Sequence, residues 1–337
     1  RPLSEGGGFG RGGGGGGPRA MAWLPDGSGL GYLERAERDE DDPDASRPDR
    51  LMRVRAPFDF EDGEVIAESE DPIQSVTYSL DGAHAFATVS KDGDQGLAYW
   101  PLASADPARR MLVDFYETSD PTELLGDLAT TETGNGIPYA VVAPGGDATY
   151  LTGPGYKDDF RPQPFVDRIS LSDGATERLF EGASDSFDRP LVLLDPEAGR
   201  MIVSRESMTD FPDSFLWEDG DWENLTNNVD PFPEITDAKR IDFEFERRDG
   251  LLVHGRVSLP TNYVEGEKVP AIFWTYPREY ERPELYQNAV IRSRNKNAFT
   301  HMSWLRWSDL WLTQGYALVY PEIPIIGENY NDTYIAS

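Results

Sequence analysis

Between Met21 and Asn228 apolar and polar residues alternate in short runs, and a turn signal closes nearly every run. That period of two predicts strands rather than helices. Expected strands include 22–23, 76–80, 85–89, 139–142, 166–171, 191–194, 201–204 and 214–217. Their punctuation is Asp26-Gly27, Asp81-Gly82, Asp92-Gly93, Pro144-Gly145-Gly146, Asp173-Gly174 and Asp219-Gly220. A strand, an Asp-Gly turn and a second strand, repeated with no long amphipathic helix between, predict propeller blades or a sandwich. The best internal match pairs Trp23-Leu24-Pro25-Asp26-Gly27 with Tyr78-Ser79-Leu80-Asp81-Gly82. At the usual four strands per blade, about four or five blades are expected.

The pattern changes after Thr226–Lys239, a polar stretch rich in Pro and Asn that reads as a domain connection. Ile241–Pro260 alternates on both sides of Asp249-Gly250, which predicts a hairpin. Ala271–Trp274 is wholly apolar, as a strand buried on both faces would be, and Ala317–Tyr320 repeats it. Between them Trp304, Trp307 and Trp311 recur at helical spacing, predicting helix-to-sheet packing, and Gly315 stands where a left-handed residue would end the helix. A hairpin leading into buried strands separated by a helix is how an α/β-hydrolase sheet begins. In that fold the nucleophilic serine rides on a strand-to-helix turn, followed by Asp and then His.

Three segments of this region carry a family resemblance: Arg247–Pro260 (RRDGLLVHGRVSLP), Val269–Tyr280 (VPAIFWTYPREY), and Pro321–Glu328 (PEIPIIGE) with Asn331-Asp332 after it. They resemble the prolyl oligopeptidase family of serine peptidases, and within it the chloroplast glutamyl endopeptidases and their bacterial relatives. The resemblance is close over roughly the last hundred residues and looser upstream. It implies a β-propeller ahead of an α/β-hydrolase domain. The expected organisation is a Gly-rich segment at 1–18, incomplete β-propeller blades at 19–238, and the N-terminal part of the α/β-hydrolase domain at 239–337.

Composition narrows the chemistry. The chain has 61 acidic against 31 basic residues, a net charge of −30, which argues against nucleic acid or an anionic membrane as partner. Only five of the basic residues are Lys, leaving 26 Arg. Abundant carboxylates with scarce Lys fit a salt-rich habitat, and an Arg-favouring, GC-rich genome explains the Lys scarcity equally well. The full-length protein is expected to melt at a higher temperature in molar potassium chloride than in dilute buffer, because a Debye length of about 3 Å at 1 M screens carboxylate repulsion. An unchanged or lower melting temperature would count against it. No cysteine is present, so disulfides and thiolate chemistry are excluded. No apolar run long enough to span a membrane occurs, which predicts a soluble chain. The first residues lack a starting Met and a signal-peptide core, so more chain is expected upstream and the compartment stays open.

Candidate sites are few. The glycines of Gly6–Gly17 follow no strand, so they predict a linker rather than a phosphate loop. Arg38–Arg50 is rich in carboxylates but lacks the Gly and Glu of an EF-hand, so it predicts a solvated loop. His84, His254 and His301 lack metal-ligand spacing and are expected to be structural. No Gly-x-Ser-x-Gly occurs, so the triad is expected beyond Ser337 and the chain alone is expected to be inactive. The resemblance implies that Tyr276 helps hold the oxyanion; on its residues alone it reads as an aromatic capping the core. From Arg278 to Arg306 six basic residues face three Glu, a reversal of charge in an acidic chain. Arg278, Arg292 and Arg294 are therefore candidate partners for a substrate carboxylate, with Arg292 the first choice from its position in the family; surface ion pairing is the competing reading. No metal or organic cofactor is implied. The expected function is an acyl-enzyme peptidase acting on peptides or partly unfolded chains after Glu. An esterase or acylaminoacyl peptidase on the same scaffold, or a propeller module without a working triad, are the alternatives.

Overall fold

The computed structural model describes residues 18–36, 47–104, 107–299 and 304–327, with the backbone alone at 304–307. The Gly-rich opening, His301, the side chains of Trp304 and Trp307, and Glu328, Asn331 and Asp332 lie outside the described residues.

Four sheets of four antiparallel strands account for most of the chain up to Asn224. The first holds β1 (Arg19–Trp23), β2 (Leu30–Arg35), β3 (Asp49–Val54) and β4 (Glu64–Ser69), and the second β5 (Ile73–Tyr78), β6 (His84–Lys91), β7 (Asp94–Pro101) and β8 (Arg110–Tyr116), each in sequence order. After β9 (Asp127–Leu128) comes a separate hairpin of β10 (Thr130–Glu132) and β11 (Pro138–Ala140). The third sheet then adds β12 (Ala148–Gly153), β13 (Phe165–Ser170) and β14 (Thr176–Glu181) to β9. The fourth is β15 (Phe187–Asp195), β16 (Arg200–Glu206), β17 (Asp213–Glu218) and β18 (Asp221–Asn224). Every strand expected from the alternation is present, and the five Asp-Gly pairs named above lie in tight turns with glycine at positive φ, whereas Gly63 of Asp62-Gly63 is extended at φ −60°.

Contacts divide the chain into two compact units. One comprises residues up to Glu117 with Thr130–Val142 and Ser170–Ala175, and holds the first two sheets. Its core sets small residues against large: Ala85 pairs with Trp100 across β6 and β7, both 1% exposed or less, beside Ala87 and Ala98. The run Arg38–Arg50 is described only from residue 47, and there the expectation of a solvated loop fails at Asp49. That carboxylate is buried, ion-paired to Arg19 and accepting from the Ile73 backbone N–H at 2.8 Å, because β3 starts inside the sheet.

The other unit holds the third and fourth sheets and everything after them. A single-turn helix α1 (Pro233–Thr236) precedes the predicted hairpin, which is β19 (Arg240–Glu246) and β20 (Leu252–Ser258), with Gly250 at φ +85° in the turn. Then come β21 (Ala271–Phe273), β22 (Pro277–Tyr280), α2 (Pro283–Ser293), a 3-10 helix (Trp304–Gln314), β23 (Ala317–Pro321) and β24 (Ile323–Ile326). Sheet order is β19-β20-β23-β21, antiparallel up to β23 and parallel from β23 to β21. Gly315 ends the 3-10 helix at φ +83°, as expected. Leu312, rather than Trp311, is its buried apolar side chain among the described ones, packed on Leu318, Ile235 and Ala238; Trp311 is 40% exposed. β21 also departs from expectation. Among the described residues it has a strand partner, β23, on one side, and Phe273 is 67% exposed rather than buried. No helix among the described residues is long and apolar enough to cross a membrane.

Candidate functional site

β21 and β23 run parallel, with Ala271 opposite Ala317 and Phe273 opposite Val319. The chain therefore leaves both strands at the same end, where open sheets with parallel strands offer crevices to ligands. A cavity of about 440 Å³ lies there. Trp274, Tyr276 and Arg278 line it after β21, and Pro321 to Pro324 after β23. The short parallel pair β22 and β24 extends this wall, Arg278 facing Pro324. Tyr276 is 75% exposed, and its hydroxyl has no hydrogen-bond partner among the described residues.

The facing wall is the segment from Ser293 to Phe299. At Arg294 the backbone leaves helical geometry (φ −89°, ψ 133°), so the chain turns out of α2 into an extended run. Asn297, 1% exposed, anchors that run: its amide donates to the Ser184 and Ser186 carbonyls at 2.9 and 3.0 Å and accepts from Arg161 at 2.6 Å. The Lys296 backbone N–H donates to the Phe160 carbonyl at 2.8 Å. Phe160 itself stands at φ +63° in a loop pinched between Gly155 and Gln163.

Five cations and two carboxylates, Asp309 and Glu322, line the cavity. Arg256 makes two hydrogen bonds to Asp242, at 2.7 and 3.0 Å. Burial pushes the Asp242 carboxyl up, but the hydrogen bond from Arg256 and the charges of Arg256, Arg294 and Lys296 outweigh it and hold the group below its usual range. Arg294 donates to Glu322 at 3.3 Å and approaches Asp242 at 3.8 Å. Glu322 also accepts from the Tyr286 hydroxyl at 2.7 Å, and burial together with that carboxylate raises the phenol's pKa. Arg240 donates to the carbonyls of Ile235, Thr236 and Ala238. Behind this wall His254 is 5% exposed, and burial with the Arg294 charge lowers its pKa, so its imidazole is neutral at pH 7. Arg278 and Lys296 are left without an ion pair among the described residues.

Of the expected site residues, Tyr276, Arg278 and Arg294 come together at one cavity, and Arg292 does not. Arg292 is still within α2, on the helix face of Asn288, and donates to the Thr118 and Ser119 carbonyls at 2.8 and 3.3 Å. Two residues later the helix has ended, which is why Arg294 reaches the cavity. Lys296, Arg240, Arg256 and Glu322 were not singled out by the sequence as cavity residues. Lys296 and Glu322 fall inside segments it had marked, yet nothing in their spacing says which way they face.

No protein-family model matches the chain. Two curated proteins are similar to it, each called "probable glutamyl endopeptidase, chloroplastic". That of Arabidopsis thaliana is 28% identical over 189 residues, covering 51% of this chain and 19% of its own length. That of Oryza sativa subsp. japonica is 26% identical over 190 residues, covering 51% and 20%. The matched part is thus about a fifth of either relative. Among solved structures, Porphyromonas gingivalis dipeptidyl peptidase 4 is similar over 91% of this chain and 49% of its own (TM-score 0.46, 11% identity). Prolyl oligopeptidase B from Galerina marginata is similar over 94% and 46% (TM-score 0.44, 12% identity). Over about half of its length the chain is thus similar to proteins named as probable chloroplast glutamyl endopeptidases, of which it spans about a fifth.

Proposed function

We propose that this chain is part of a serine peptidase in which a β-propeller, residues 19–238, precedes an α/β-hydrolase domain that begins at 239. Four sheets of four antiparallel strands agree with blades, and a hairpin leading into the parallel pair β21 and β23 agrees with the start of a hydrolase sheet. The complete protein cleaves peptide bonds through an acyl-enzyme: serine attacks, histidine moves the proton, and the tetrahedral oxyanion is held by hydrogen bonds that include one from Tyr276. The cleaved residue is acidic, and its carboxylate enters the cavity on the Arg278 and Arg294 side.

The observation that carries this reading is the cavity itself. In a chain of net charge −30, five cations are gathered around one crevice at the carboxyl ends of parallel strands, beside an exposed tyrosine hydroxyl. Such a crevice suits an anionic group, and the surrounding acidic surface leaves few other places for one.

Full-length protein is expected to react with a fluorophosphonate and to cleave peptides after Glu in preference to matched peptides with Gln. Arg278 is exposed, so water and salt screen it. Arg278→Gln is expected to lower kcat/KM for the Glu peptide by about threefold, an effect that disappears at high salt. Absence of fluorophosphonate labelling would remove the serine mechanism, and equal rates on Glu and Gln would remove the acidic preference.

A further inference from the structure

We propose that Lys296 is the specificity-determining cation of this cavity, the group that meets the substrate carboxylate, and that Phe160 and Asn297 hold it in position. The inference rests on the acidic preference proposed above and names the residue that produces it.

Three of the five cations are already engaged. Arg256 gives two hydrogen bonds to Asp242, Arg294 sits against Glu322 and Asp242, and Arg240 caps three backbone carbonyls. A guanidinium paired in this way has little charge left uncompensated for an arriving anion. Arg278 has no ion pair among the described residues but is exposed, and a screened charge discriminates poorly between Glu and Gln.

Lys296 differs on both counts. It is half-buried, faces no carboxylate within ion-pair distance among the described residues, and places its Nζ 5.0 Å from the centroid of the Phe160 ring. A cation resting on an aromatic face keeps its other directions open for hydrogen bonds. Lys296 shares the Asp242 carboxylate with Arg256 and Arg294 from beyond ion-pair distance, so a substrate carboxylate brings its half-buried charge a direct partner where a neutral amide does not.

The position of Lys296 is over-determined. Its backbone is tied to the Phe160 carbonyl, its neighbour Asn297 is locked on the Ser184–Ser186 turn, and its side chain lies on the Phe160 ring. The same ring meets the Arg294 guanidinium at 5.9 Å and His254 edge-on at 5.3 Å. Phe160 is thus a strut under the cation side of the cavity, and substrate contributes nothing to arranging it.

The test uses full-length protein and two peptides that differ only in Glu or Gln at the cleaved position. Lys296→Met keeps the apolar stem and removes the charge. It is expected to lower the Glu-to-Gln ratio of kcat/KM by about tenfold or more, through KM for the Glu peptide, with Lys296→Arg retaining most of the ratio. Phe160→Leu is expected to give an intermediate loss. If wild type prefers Glu and Lys296→Met keeps that preference, Lys296 is not the determinant and the acidic preference stands. If Lys296→Met lowers both peptides equally, its role is structural and the proposal fails. If wild type does not distinguish Glu from Gln, the acidic preference and the proposal fall together.

Discussion

Replacing Tyr276 by phenylalanine in the full-length protein is expected to lower kcat by about 10²–10³-fold and to leave KM nearly unchanged. An oxyanion donor acts on charge that develops only in the transition state, so the ground-state complex does not register its loss. Local geometry makes this variant a clean one. Tyr276 is 75% exposed, follows β21 by three residues, and its hydroxyl supports nothing else among the described residues. Phenylalanine keeps the ring and should leave the melting temperature within about a degree. A kcat within threefold of wild type would remove Tyr276 from the oxyanion site. A fall in melting temperature with kcat unchanged would restore the reading of an aromatic that supports the sheet end.

The largest expected effect on stability is at Gly155. Its φ of +57° suits glycine, and a Cβ there would lie 1.8 Å from the Gln163 carbonyl oxygen and 2.5 Å from its carbon. Both are backbone atoms, and the same pinch is closed by the Gln163 N–H donating to the Gly155 carbonyl at 2.8 Å. No rotamer change can make room. Gly155→Ala is expected to cost about 3 kcal/mol or more, as left-handed strain and overlap add. Gly266, at φ +90° with open space around it, supplies the comparison: Gly266→Ala carries strain alone and should cost about 1–2 kcal/mol. Urea unfolding of the three proteins measures both costs, and equal midpoints for the two variants would show that the pinch yields. Because the loop it closes carries Phe160, Gly155→Ala should also reduce the preference for Glu in whatever protein remains folded.

Strands were legible wherever alternation and an Asp-Gly turn coincided, because each fixes a different quantity: the period sets the faces and the turn sets the register. β17 and the pair β19 and β20 are examples. α2 was not legible. Only Tyr286 and Val290 along its eleven residues are buried, so its apolar stripe is two side chains four apart, too little to stand out as a helical period. β22 and β24 escaped for another reason: Pro277 and Pro324 interrupt their short runs, and their pairing joins segments more than forty residues apart. At the site, the concentration of basic residues was visible in composition, and Arg278 and Arg294 followed from it. The division between Arg292 and Arg294 was not, since it depends on where a helix ends to within two residues. Lys296 was invisible as a cavity residue because its orientation is set by Asn297 and Phe160, and the second of these lies 136 residues away.

The sheet order β19-β20-β23-β21 also has a consequence for the way the protein is made. β21 is complete at residue 273, but the strand that belongs between it and β20 begins only at 317. At about 5–20 residues per second, a ribosome leaves the free edge of β20 and the apolar edge of β21 waiting beside each other for about 2–9 s. In that interval they can pair with one another, and such a pairing must come apart before β23 can insert. Phe273 and Trp274, both exposed in this chain, are natural points for a chaperone to hold during the wait. Slower elongation through residues 274–316 would lengthen the exposure, so synonymous codon choice in that stretch should affect the yield of folded protein without changing a single side chain.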